Sequence, residues 1–122
     1  MTKEILEFRR KFESKESMEI ATASIYEQFE KVSRDYPDKP ALIYLGIKYD
    51  FSQLREMIEN LAASLHRMGV AKGDKAVLYR PNCPQWVITW LALMRLGVIA
   101  VPISPIYTPI DVEYMANDSG AE

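Results

Sequence analysis

A strand–helix–strand unit constrains the fold of this chain more than any other stretch. Lys75–Tyr79 contains the unbroken apolar run Ala-Val-Leu, which is typical of a strand covered on both faces. Pro84–Leu96 predicts a helix that is apolar almost all round and must therefore be buried between two layers. Val98–Val101 predicts a second strand, which we expect Pro102 to end. Strands joined by such a helix are expected to be parallel, with a right-handed crossover.

The same stretch could instead cross a membrane, because residues 86–103 are almost continuously apolar. A membrane span needs about 20 residues of uninterrupted helix. Arg95 lies inside the apolar run, Gly97 follows it, and β-branched residues then replace the helical pattern. We therefore predict no transmembrane segment, and a helix that begins at a cap, either Asn82 or Cys83.

Composition narrows the class of protein. A chain of 122 residues with 48% hydrophobic side chains is one globular domain or a piece of one. Fifteen basic and seventeen acidic side chains give a net charge of -2, which argues against binding to nucleic acid or to an acidic membrane. The single cysteine excludes an internal disulfide, and the charged amino terminus is no secretory signal. We expect a cytoplasmic protein.

Residues 1–20 are predicted to form an amino-terminal arm. Many charges surround a thin apolar series there, which fits an amphipathic helix or a solvated arm. A helix that docks on lipid or a partner is less favoured, because acidic residues alternate with the basic ones. Ser24 and Glu27 then have the spacing of a capping box. The helix that follows, about Ile25–Asp35, is expected to bury one stripe: Ile25, Phe29, Val32 and Tyr36.

A hairpin and a second amphipathic helix are predicted next. Ala41–Leu45 and Lys48–Phe51 read as antiparallel strands around a turn at Gly46-Ile47. Ser52 is a plausible cap for the helix, which Gly69 ends. Its core-facing positions are Leu54, Met57, Ile58, Leu61, Leu65 and Met68.

A last helix is predicted at about Ile110–Asn117. Thr108 is its cap, Pro109 occupies the first position, and Asp111 lies near the positive end of the helix dipole. Its inward residues are expected to be Val112, Met115 and Ala116. The chain stops where an α/β pattern would next place a strand, so we expect residues 21–122 to be an incomplete portion of a larger domain. The predicted fold is α/β: a partial layered domain with a βαβ crossover, a small antiparallel hairpin and flanking amphipathic helices.

No group of residues predicts a catalytic centre. Gly69 and Gly73 fit neither spacing of a phosphate-binding loop and are better interpreted as turn glycines. His66 and Cys83 are the only pair that could supply a base and a nucleophile, but no third group would orient them.

Metal ions are not expected either. Asp111, Glu113 and Asp118 form a loose acidic group that could hold magnesium, but the first two point to different sides of a short helix. Dipole complementation and solubility are the simpler explanation of these acids. A zinc site is not expected, because His66 and Cys83 have no further ligand beside them. We therefore expect no catalytic, cofactor-binding or metal-binding residue in this chain.

The order and spacing of several short motifs resemble the start of the AMP-forming acyl-CoA synthetases, the adenylate-forming superfamily. The resemblance covers about 100 residues. Ser104 and the pair Asp111-Val112 depart from the usual pattern, at positions that we expect to affect packing. The motifs are Pro40-Ala41-Leu42-Ile43-Tyr44, Tyr49-Asp50-Phe51-Ser52-Gln53-Leu54, Gly69-Val70-Ala71-Lys72-Gly73-Asp74-Lys75, Pro81-Asn82-Cys83-Pro84-Gln85-Trp86, Gly97-Val98-Ile99-Ala100-Val101-Pro102, Pro105-Ile106-Tyr107 and Asp118-Ser119-Gly120-Ala121.

The resemblance implies a function for a longer parent protein. Members of that family use ATP to activate a carboxylic acid as an acyl-adenylate and then pass the acyl group to coenzyme A. This opening looks most like that of the fatty-acid ligases, so ATP, Mg²⁺, coenzyme A and a fatty acid are the expected cofactors and substrates of the parent. The motifs that bind these groups in the family lie beyond Glu122, so the fragment alone is expected to be inactive.

Two further expectations follow. If the rest of the large domain is missing, Trp86, Trp90 and the strands at 75–79 and 98–101 lack neighbours, and the isolated chain should self-associate. The alternative is a complete small α/β binding or interaction module. Such folds need about five strands, more than the pattern provides.

Overall fold

The computed structural model describes Lys3 and residues 23–121, and the predicted arm at 1–20 lies outside the described residues apart from Lys3. Residues 23–121 form a mixed α/β fold with two separate two-stranded sheets, so the predicted fold class is confirmed. The elements in order are α1 (Ile25–Asp35), β1 (Pro40–Tyr44), β2 (Ile47–Asp50), α2 (Phe51–Arg67), β3 (Lys75–Tyr79), α3 (Pro84–Leu96), β4 (Ile99–Ile103) and α4 (Pro109–Ser119).

The β3–α3–β4 crossover is the centre of the fold, as predicted. The two strands pair in parallel, with Lys75 opposite Ile99 and Tyr79 opposite Ile103. Cys83 occupies the cap position of α3 and Pro84 follows in its first turn. Gly97 ends the helix at a φ of 73°, in the left-handed region that glycine adopts without a steric penalty.

Strand β4 is longer than predicted, because Pro102 lies inside it. The N–H of Ile99 donates to the carbonyl of Asp74 at 2.7 Å, so Ile99 directs its backbone groups toward β3. Successive residues of a strand alternate, so Val101 also faces β3 and Pro102 faces away. The missing N–H of Pro102 therefore costs the ladder no hydrogen bond, and the prediction that this proline ends the strand is wrong.

The hairpin is confirmed, but its turn lies one residue earlier than predicted. Tyr44 pairs with Ile47 and the turn consists of Leu45 and Gly46, with φ values of 49° and 79°. A two-residue turn of this kind needs positive φ at both positions. Leu45 therefore belongs to the turn, although its apolar side chain suggested a strand.

Asp50, and not the predicted Ser52, caps α2. Its carboxylate accepts from the N–H of Gln53 at 2.7 Å, while the Gln53 side chain accepts from the Asp50 N–H at 3.0 Å. The helix therefore begins at Phe51, and Ser52 lies in its first turn. An acid and a glutamine three residues apart form a capping box as well as the serine-glutamate pair does.

The main hydrophobic core lies between α1, α2 and α3. Helix α2 packs against α3, and α3 in turn contacts both β3 and β4. This arrangement confirms that α3 lies between two layers. The buried residues of this core are Tyr26, Leu54, Ile58, Ala62, Leu91 and Ala92.

Helix α1 buries a different stripe from the predicted one. Ile25 is 54% exposed, whereas Tyr26 is 8% exposed and Ser33 is buried. Both hydroxyl groups have hydrogen-bond partners, which offset the cost of removing them from water. The Tyr26 hydroxyl donates to Glu59 at 3.4 Å and the Ser33 hydroxyl donates to the carbonyl of Glu30 at 2.7 Å. Of the predicted stripe, Ile25, Val32 and Tyr36 are exposed and Phe29 is half-buried.

The methionines of α2 were also wrongly predicted as core residues. Met57 is exposed and Met68, at 78% exposed, lies beyond the last helical residue as the C-terminal cap. The central line of Leu54, Ile58 and Ala62 fills the interface instead, because residues four apart share one face of a helix.

Helix α4 lies against the other face of the β3–β4 sheet. Thr108 caps it in a capping box with Asp111, as the sequence predicted. Lys75 and Tyr79 share one face of β3 and hold the two ends of α4. Lys75 Nζ donates to the carbonyl of Ser119, the last residue of the helix, at 2.9 Å, and the Tyr79 hydroxyl donates to the carbonyl of Tyr107, just before its cap, at 3.1 Å. The inward residues Val112, Met115 and Ala116 are half-buried.

Among the helices that the structure describes, none combines the length and the apolar character that crossing a bilayer requires. Helix α3 has 13 residues, well short of the roughly 20 that a span needs.

The capping arrangement of α2 can be tested by substitution. We expect Asp50→Ala to lower the free energy of unfolding by about 1 kcal/mol, because the backbone N–H of Gln53 loses its carboxylate partner. Ser52→Ala should change it by less than about 0.5 kcal/mol, since Ser52 is not the cap. Urea unfolding followed by far-ultraviolet circular dichroism measures both, and a larger loss for Ser52→Ala would contradict the assignment.

Candidate functional site

A cleft opens where β3 and β4 end. The two strands are parallel, so the segments that follow their carboxyl ends meet at the same edge of the sheet, which is where open α/β sheets bind ligands. The cleft has a volume of about 450 Å³. Its walls are Arg80, Pro81, Asn82 and Trp86 on one side and Pro102, Ile103, Ser104 and Pro105 on the other.

Side-chain contacts hold the cleft in shape on both sides. The Tyr79 hydroxyl donates to the carbonyls of Pro105 and Tyr107, both at 3.1 Å, and so joins the end of β3 to the loop after β4. On the opposite wall, the rings of Trp86 and Trp90 stack with centroids 5.9 Å apart. The cleft is therefore bordered by a held loop and a rigid aromatic pair.

The polar groups of the cleft, Arg80 and Ser104, do not form a catalytic set. Arg80 is exposed and, within residues 23–121, belongs to none of the ion pairs, which join Arg34 and Arg55 to Glu30 and Arg55 to Glu59. The Ser104 hydroxyl accepts from the N–H of Ile106 at 3.5 Å. Among the described residues that line the cleft, no acidic or imidazole side chain is present to act as a base on that serine.

The structure separates the pair that sequence reasoning considered for nucleophilic chemistry. Cys83 lies at the amino end of α3, whereas His66 borders a second cleft together with Arg95 and Leu96 at the other end of that helix. A helix of 13 residues spans about 20 Å at 1.5 Å per residue. His66 and Cys83 therefore cannot share a proton.

Of the three acidic residues in α4, Asp111 is used for helix capping. The Asp111 carboxylate accepts from the N–H and the hydroxyl of Thr108, at 3.1 and 2.7 Å. Across the part of the chain that the structure describes, no group of three His, Cys, Asp or Glu side chains is close enough to hold a metal ion. Gly69 and Gly73 lie in the turns between α2 and β3, with φ values of 95° and 89°, as expected for turn glycines.

Sequence reasoning missed Tyr26, whose phenol is buried in the core and has a raised pKa. Burial raises the pKa of Tyr26, a nearby hydrogen bond from Arg95 lowers it in part, and the negative charge of Glu59 adds to the increase. The Arg95 guanidinium lies 5.8 Å from the centre of the Tyr26 ring. An aromatic residue beside a capping box gives no sequence signal of this environment.

Comparison with known proteins gives consistent matches in sequence and fold. Residues 29–122 match the family described as AMP-binding enzyme. The chain is 37% identical over 99 residues to a long-chain-fatty-acid–CoA ligase of Salmonella typhimurium and 38% identical over 100 residues to that of Yersinia pestis. These matches cover 80% and 81% of this chain but only 18% of each relative.

Solved structures match over a similar share of the chain. The N-terminal subdomain of Klebsiella oxytoca NpsA superposes with a TM-score of 0.79 at 28% identity, covering 81% of this chain and 26% of that one. NpsA in complex with 3-hydroxyanthranilyl-AMSN gives a TM-score of 0.80 at 28% identity, covering 83% and 21%. The chain therefore corresponds to about a fifth to a quarter of each matched protein.

The buried phenol predicts a pH dependence of stability. The folded-state pKa of Tyr26 lies above the unfolded value of about 10, so its stabilising contribution is complete below pH 10 and is lost as the pH rises through the folded pKa. We expect Tyr26→Phe to lose less stability than the wild type between about pH 9 and pH 11. Urea midpoints measure this, with Tyr114→Phe, 70% exposed, as the matched control. Equal slopes for Tyr26→Phe and the wild type would refute the assignment.

Proposed function

The chain belongs to the AMP-binding enzyme family, and we propose that it is the amino-terminal part of an AMP-forming fatty-acid–CoA ligase. Such an enzyme joins a fatty acid to the AMP portion of ATP with release of pyrophosphate, and then transfers the acyl group to coenzyme A with release of AMP. The observation that carries the proposal is the match to long-chain-fatty-acid–CoA ligases, which extends over 80% of the chain without a change of fold.

We expect the sites for ATP, Mg²⁺ and coenzyme A to lie outside the described residues. Asp111 takes part in the capping box of α4, and Gly69 and Gly73 lie in turns without the spacing of a phosphate loop. The cleft at the ends of β3 and β4 offers an arginine and an aromatic wall but no base. We therefore assign the nucleotide, the metal and the thioester chemistry to parts of the parent protein outside residues 23–121.

What this segment contributes is a scaffold. Helices α1 and α2 cover one side of α3, and the β3–β4 sheet covers the other, with α4 beyond it. Neighbouring parts of a larger domain can therefore be built on a preformed layered edge. The single cysteine also supports a cytoplasmic location for the parent.

An activity measurement on the 122-residue chain tests the first half of this proposal. We expect no release of pyrophosphate from ATP with medium- or long-chain fatty acids, because residues 23–121 offer no set of groups that would align a carboxylate with a phosphate. The long-chain-fatty-acid–CoA ligase of Salmonella typhimurium, assayed in parallel, is the positive control. Fatty-acid-dependent pyrophosphate release by the chain alone would overturn the scaffold role.

A chimera tests the second half. Residues 29–121 of this chain replace the matching segment of the Salmonella typhimurium ligase. We expect the chimera to form acyl-CoA with the chain-length preference of the recipient, because the transplanted part supplies framework only. Leu78, 4% exposed in β3, gives the matched control: a chimera that also carries Leu78→Asp should lose activity through misfolding. A chimera that folds but has no ligase activity would contradict the proposal that this segment is a structural framework of such a ligase.

A further inference from the structure

We propose that this chain forms a symmetric dimer in which the outer edge of β3 pairs in antiparallel fashion with β3 of a second copy. Within residues 23–121 the β3–β4 sheet has two strands, so among these residues each strand has one edge without a backbone partner. The two edges differ in their ability to accept a further strand. This inference concerns the 122-residue chain itself and does not depend on the proposed ligase function.

The outer edge of β3 presents an unbroken row of backbone donors and acceptors. Asp74 accepts the N–H of Ile99 and therefore faces β4. By alternation Ala76 and Leu78 also face β4, whereas Lys75, Val77 and Tyr79 direct their N–H and C=O groups outward. None of these outward residues is proline, so each can both donate to and accept from an added strand.

The outer edge of β4 is blocked. Its outward residues are Ala100 and Pro102, and Pro102 has no N–H to donate. Proline on an exposed strand is a common means of preventing edge-to-edge pairing. Strand addition is therefore directed to β3.

The sequence of β3 is complementary to itself in the antiparallel direction. With Val77 on the two-fold axis, Asp74 lies opposite Arg80 of the second copy, and Lys75 lies opposite Tyr79 of the second copy. Opposite charges meet and no like charges do, which favours the pairing. A parallel, in-register arrangement would instead place each charge opposite its own copy.

There is room for the incoming strand. A groove of about 430 Å³ lies beside the amino end of β3, lined by Val70, Gly73, Asp74, Lys75, Ala76 and Gly120. In the antiparallel register this groove faces the carboxyl end of the second β3, which carries Tyr79 and Arg80. Tyr79 is 43% exposed, and its hydroxyl is held by the loop after β4, so its position is fixed before any partner arrives.

Sedimentation velocity of the 122-residue chain tests the proposal, with proline variants as matched probes. We expect a monomer–dimer equilibrium at high micromolar concentration. Val77→Pro removes an outward N–H from β3 and should abolish the dimer, whereas Ala100→Pro removes an outward N–H from β4 and should leave it intact. Pro102 shows that this sheet tolerates proline at an outward position. A wild-type monomer, a Val77→Pro dimer, or loss of the dimer in Ala100→Pro would each overturn the proposal.

Charge substitutions decide the question if Val77→Pro does not fold. Arg80 is exposed, so Arg80→Asp should fold normally, and it places an acid opposite Asp74 of the second copy. We expect the dissociation constant to rise at least about tenfold. The double variant Asp74→Arg with Arg80→Asp should restore association. An unchanged dissociation constant in Arg80→Asp would reject the antiparallel register, as would rapid amide exchange at Lys75, Val77 and Tyr79 in the concentrated wild-type protein.

Discussion

The covering of α3 on both sides is the constraint on which the rest of this structure depends. Its 13 residues are apolar almost all round, and no single neighbour can remove such a helix from water. Helix α2 covers one side with Leu54, Ile58 and Ala62, and the β3–β4 sheet covers the other. The sheet in turn needs α4 on its outer face. A layered architecture follows from the composition of one helix.

This constraint explains which parts of the fold could be predicted. The bounds of α3 and β3 were predicted correctly because Pro84, Gly97 and the apolar runs leave few alternatives. The prediction for Pro102 failed because the effect of proline depends on which side of the strand its nitrogen faces, and only the pairing register determines that. A register is a relation between two segments, and a single segment does not contain it.

The errors in the predicted buried stripe of α1 have a related cause. Apolar periodicity predicted that Ile25 and Val32 would be buried, but Tyr26 and Ser33 took the interior because each found a hydrogen-bond partner, in Glu59 and in the carbonyl of Glu30. The two clefts could not be predicted from the sequence either. The first cleft is formed by loops that meet only because β3 and β4 are parallel. The second is formed by the carboxyl-terminal parts of α2 and α3, which are far apart in the sequence. His66 and Cys83 attract attention in the sequence, yet the length of α3 separates them.

The open edge of β3 connects the architecture to what the chain can do. An outward N–H can donate to one neighbouring strand only, so a strand from a larger domain and β3 of a second copy exclude each other at this edge. The relatives matched here are several times longer than this chain, and in them further sequence is available to build on such a layered edge. Within a longer protein, filling the edge would remove the dimer interface, because the same three residues provide both sets of hydrogen bonds. Self-association and incorporation into a larger sheet are therefore two alternative uses of one row of backbone groups, and Pro102 ensures that β4 offers no second one.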